Sequence, residues 1–109
     1  MNLHHYQTLA ARTEKPLDKP AALQHGCLGL ATEVGELTDA VKKHVIYGKE
    51  LDVCNLQEEI GDILWYLAVV ANNAGISMSA AAGQNIEKLQ QRYPEKYSDA
   101  DALERKDKV

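Results

Sequence analysis

Residues 33–37 read Glu-Val-Gly-Glu-Leu, and residues 59–63 read Glu-Ile-Gly-Asp-Ile. Each phrase sets two carboxylates three residues apart, inside a run whose apolar residues recur at helical intervals. Three residues are nearly one helical turn. Glu33 and Glu36, and likewise Glu59 and Asp62, therefore project from one face, with Cβ atoms roughly 5–6 Å apart. Like charges at that spacing oppose an isolated helix. Two such pairs, both bordering core positions, point to a shared cation.

The phrases belong to two long helices. The first of them spans about Pro20 to Ile46. At 100° per residue, Leu23, Leu30, Val34, Leu37 and Val41 fall within an arc roughly 40° to 100° from Glu33, and the carboxylates border it. Ala22, Gly26, Gly29 and Ala40 share the carboxylate stripe, leaving room for something to come close. Asp18 or Lys19 caps this helix, Pro20 suits its first turn, and Gly48 stops it. The second spans about Val53 to Asn73, capped by Asp52 and closed by Gly75. Leu56, Ile60, Ile63, Leu64, Leu67, Val70 and Ala71 form its apolar arc, and Tyr66 and Asn73 share the edge that carries Glu59 and Asp62. Gly35 and Gly61 lie nearly opposite the carboxylates. Either they mark close helix approach, between subunits included, or they are tolerated surface glycines, each costing about 1 kcal/mol against alanine.

Outward from this pair, residues 2–13 form a helix on Leu3, Tyr6, Leu9 and Ala10. A fourth helix, capped by Ser77 or Ser79, runs to about Arg92 and ends at Tyr93-Pro94. Asn85, Lys88 and Arg92 line one of its faces. Residues 98–109 turn polar and read as a loosely held tail. No strand pattern occurs. The expected fold is all-α, a four- to five-helix bundle built on an antiparallel helix pair, with residues 1–97 as the domain. A chain of 109 residues has a thin core, which oligomerisation would complete.

A net charge of −4 gives no basic footprint and argues against nucleic-acid binding. No apolar run is long enough for a membrane span and no signal peptide is evident, so the cytoplasm is the expected compartment. Cys27 and Cys54 have no metal-ligand spacing and read as reduced thiols. Oxygen-only ligation by Glu33, Glu36, Glu59 and Asp62 favours magnesium or manganese over zinc or copper. Such an ion suits phosphoryl chemistry, and Lys88 and Arg92 would add charge against phosphate oxygens. A di-iron site would need a histidine three residues after a glutamate. Neither phrase has one.

Glu-x-x-Glu, 22 intervening residues (37 to 58), then Glu-x-x-Asp resembles the pattern of the MazG-like all-α nucleoside triphosphate pyrophosphohydrolases. The runs 29–37 and 58–67, and Asn85-Ile86-Glu87-Lys88-Leu89 with Arg92-Tyr93-Pro94, extend the likeness over about residues 5–97. The resemblance implies hydrolysis of a (deoxy)nucleoside triphosphate to the monophosphate and pyrophosphate, in nucleotide-pool cleaning. It implies Glu33, Glu36, Glu59 and Asp62 as magnesium ligands, with Glu33 or Glu36 also orienting or deprotonating the water. It further implies phosphate and sugar contacts from Tyr66, Asn85, Lys88 and Arg92, and an N-terminal helix, with His5, Tyr6 and Gln7, closing over the base. Homodimers or homotetramers are implied as well. The competing expectation is a non-catalytic helical oligomer that binds nucleotide or a partner protein.

Overall fold

Each helix starts where a short polar side chain can satisfy an otherwise unpaired backbone amide. In the computed structural model, which describes residues 1–108, there are five. α1 is Leu3–Ala11, α2 Lys19–Tyr47, α3 Val53–Ala74, α4 Met78–Arg92 and α5 Asp99–Glu104. Asn2 accepts from His5 N at 2.8 Å, Asp18 from Ala21 N at 2.9 Å, Asp52 from Asn55 N at 3.0 Å and Ser77 from Ala80 N at 3.1 Å. The caps left open in the sequence are thus Asp18 and Ser77. α2 and α3 end at Gly48 (φ 67°) and Gly75 (φ 69°), left-handed positions that glycine fills without a Cβ penalty. The chain is all-α, with no strand among the described residues.

α2 and α3 form the antiparallel pair. A Cβ built on Gly26 would meet Val70 Cγ2 at 2.8 Å and Val69 Cγ1 at 3.2 Å, and one on Gly29 would meet the Tyr66 ring at 2.0 Å. The small-residue stripe therefore admits the neighbouring helix itself. This changes the expected layout. The carboxylate stripe of α2 lies against α3, whereas much of the leucine and valine arc is left uncovered: Val34 is 43% exposed, Val41 42% and Ile60 59%. Small residues let backbones approach, and the bulkier arc is displaced to the flank. Buried apolar residues are Ala10, Ala22, Ala68, Val69 and Ala71, a core with Val69 as its largest fully buried side chain. The radius of gyration is 17.0 Å, above the ~13 Å of a compact chain near this length.

α1 packs across α3, held by an amide network. Gln7 Nε2 donates to Asn72 Oδ1 at 3.0 Å and to Ile76 O at 2.7 Å, while Gln7 Oε1 accepts from Met78 N at 2.9 Å. One side chain thus ties α1 to the 104° corner between α3 and α4. Glu14 accepts from Asn72 and Asn73 at 3.3 and 2.7 Å, so Asn73 serves this junction. α4 packs on α1 and α5. The tail, expected to be loosely held, instead forms α5 under a Ser98 cap.

Candidate metal centre

About three helical turns of α2 separate Ala22 from Glu33, and Gly26 and Gly29 lie between them on the same stripe. Close packing of that stripe delivers Glu33 to α3 at the level of Glu59 and Asp62. Glu33, Glu59 and Asp62 each place a carboxylate oxygen so that all three lie within 4.8 Å of one another. Glu59 is only 9% exposed, and its Oε2 is buried without a hydrogen-bond partner. Contact with Glu33, where a shared proton relieves repulsion, is the largest cause raising the Glu59 carboxyl to about 7; burial comes next, then the charges of Glu33, Asp62 and Glu36. A buried orphan oxygen beside two further carboxylates fits a hard cation, which would supply the missing partner and remove the repulsion.

The sequence proposed four ligands, and the structure brings three of them together. Glu36 is exposed and stands outside the cluster, lining an adjoining cleft of about 440 Å³ with Asp39, Lys43, Asp52 and Asn55. Its charge still reaches Glu59. Helical geometry explains the difference: Glu36 is roughly 60° further round α2 than Glu33. Lys43 binds Asp39 at 2.9 Å on the same side.

Beside the carboxylates is an aromatic cluster. Tyr66 lies on Gly29, edge-on to Trp65 (centroids 5.1 Å, 84°) and to His25 (5.8 Å, 87°). Trp65 Nε1 donates to Thr13 Oγ1 at 2.8 Å, fixing the indole under the α1–α2 connection. His25, which has no ligand spacing in the sequence, gains a packing role here. Tyr6 of α1 reaches the same site: burial and then the Asp62 charge raise its phenol above the ordinary value. The basic face of α4 is placed elsewhere. Asn85 and Lys88 line an open cleft of about 510 Å³ on α4, and Arg92 pairs with Asp107 of the tail. Asp107 carries no local motif, so nothing in the sequence marks it.

The MazG nucleotide pyrophosphohydrolase domain matches residues 23–97, which include both carboxylate pairs and the α4 face. The chain belongs to this family. A relative, the Gene 37 protein of Mycobacterium phage L5, is 36% identical over 81 residues, covering 69% of each chain. No solved structure matches the chain. The MazG domain assigns a hydrolase acting on nucleotides, in a family that is metal-dependent, and the Glu33–Glu59–Asp62 cluster is where this chain could hold a metal. No single helix among the described residues is long and apolar enough to cross a membrane.

Proposed function

We propose that this MazG domain hydrolyses (deoxy)nucleoside triphosphates to the monophosphate and pyrophosphate, serving nucleotide-pool cleaning in the cytoplasm. The observation that carries this is the buried, unpartnered oxygen of Glu59 facing Glu33 and Asp62. Glu33, Glu59 and Asp62 would hold a magnesium ion, with manganese as a substitute and Glu36 as an outer carboxylate. Bound there, magnesium supplies charge neutralisation for a polyphosphate and lowers the pKa of a water. Glu33 or Glu36 would orient or deprotonate the attacking water. Tyr66 would contact the phosphates or the sugar. Asn85, Lys88 and Arg92 contact phosphates. Since α4 packs on α1 and the tail, a second copy in a homodimer or homotetramer would present this basic face to the carboxylates. The same copy would cover Val34, Val41 and Ile60. Residues 1–97 are the working domain.

Incubating the protein with each common ribo- and deoxyribonucleoside triphosphate plus magnesium, and identifying the products, tests the proposal. Monophosphate and pyrophosphate are expected from at least one substrate, with a loss of at least about 100-fold in Asp62→Asn, the scale of a lost catalytic electrostatic contact. Nucleotide-dependent stabilisation without turnover would instead mark a binding protein.

A further inference from the structure

The tail holds a carboxylate that the proposed hydrolysis does not use. Asp107 has no exposed side-chain surface. It accepts two hydrogen bonds from Arg92, Nε at 3.0 Å and Nη2 at 3.1 Å, and two from Arg105, both at 3.2 Å. Lys88 Nζ stands 4.0 Å from it. Two guanidinium forks and an ammonium around one carboxylate leave positive charge in excess. This is how side chains gather around a multiply charged oxyanion. Arg92 and then Arg105 hold the Asp107 carboxyl well below the usual carboxylate range.

The backbone is shaped to deliver this group. α5 closes on Arg105 in the left-handed region, φ 56°, the one non-glycine residue there among those described. Lys108 N then donates to Arg105 O at 3.0 Å, turning the chain so that Arg105 and Asp107 both face α4. Asp107 forms one wall of the 510 Å³ cleft, whose other polar walls are Gln84, Asn85, Glu87, Lys88 and Gln91. Amide and ammonium donors dominate that lining.

We infer that Lys88, Arg92 and Arg105 form a polyphosphate-binding site occupied by the chain's own Asp107, so that the tail competes with phosphate chains for it. The inference rests on assigning Lys88 and Arg92 to phosphate, and it adds Arg105 as a third cation and Asp107 as a built-in competitor. Displacing the carboxylate frees two paired hydrogen-bonding forks at once. A phosphate chain, with more charge and more acceptor oxygens, can use both. The tail then acts as a latch whose opening depends on polyphosphate concentration.

Binding of inorganic tripolyphosphate to the full-length protein tests this, measured by calorimetry in EDTA so that the carboxylate site holds no metal. Asp107→Asn should bind about tenfold more tightly than the native protein, the size of one lost charge-assisted competitor. Asp107→Glu, which keeps the charge, should stay within a few-fold of native. Adding Arg92→Gln to Asp107→Asn should abolish the gain. Equal affinity of the native protein and Asp107→Asn overturns the inference, as does binding in neither, or a gain that survives Arg92→Gln. A deoxynucleoside triphosphate titrated in parallel should gain by the same factor if the phosphate chain alone is recognised; a gain confined to it overturns recognition by phosphate. No turnover is involved, so this result and that of the substrate panel can fail separately.

Discussion

Replacing Gly29 with alanine tests whether the close approach of α2 and α3 builds the site. An alanine Cβ would lie 2.0 Å from Tyr66 Cε1, 2.4 Å from Cζ and 2.5 Å from Cδ1. Ordinary carbon contact needs about 3.5 Å, so ring and helix must part by roughly 1.5 Å. The ring cannot simply swing away, because Trp65 and His25 hold it edge-on. Overpacking of this kind costs about 1–3 kcal/mol, here towards the upper end, and alanine returns about 1 kcal/mol of helix propensity. A net loss of about 2 kcal/mol corresponds to a fall in Tm of about 10 °C for a domain of this size. Gly35→Ala is the control: no atom lies within 4 Å of its added Cβ, and it should gain up to about 1 kcal/mol. Thermal unfolding followed by circular dichroism, at matched protein concentration, gives both values. A Gly29→Ala protein melting at or above native refutes the reasoning. A loss at Gly35 instead would show that its face is covered in solution.

Glu59 gives a pH dependence of defined sign. Its carboxyl is raised to about 7 in the fold, so its stabilising contribution is complete below the ordinary glutamic range near 4.5. That contribution fades as pH rises to about 7 and is then flat. Urea unfolding in EDTA should show the native protein losing stability between pH 5 and pH 8, and Glu59→Gln should lack that component; parallel curves would contradict it. Asp52→Ala removes the acceptor for Asn55 N and should cost about 1 kcal/mol by denaturant unfolding. Because α3 carries Glu59 and Asp62, the same variant should weaken magnesium protection against heat.

Much of this was legible from periodicity and punctuation. Asp18, Pro20, Gly48, Asp52 and Gly75 mark helix ends through local chemistry, and local chemistry is what a sequence carries. The paired carboxylates were legible for the same reason, since three-residue spacing fixes a face. What sequence periodicity left open was which face of α2 meets α3. Leu30, Val34 and Leu37 look like the natural seam by hydrophobicity, yet Gly26 and Gly29 win because they allow closer contact. Glu36 was grouped with Glu33 because both flank that arc, but only the stripe residue is carried into the cluster. Asp107, Gln7 and Glu14 act across long chain separations, and no short motif encodes a partner 15, 65 or 58 residues away.

Ala22, Gly26, Gly29 and Glu33 recur at intervals of four, three and four. Glu33, the carboxylate that meets Glu59 and Asp62, is thus the next member of the packing series, and helix phase sets its direction. Inserting one residue between Gly29 and Glu33 would leave every side chain present while turning Glu33 by about 100°. Chain length inside α2 is therefore as much a part of the site as the acids themselves, and divergence in this segment should proceed by substitution and not by insertion or deletion.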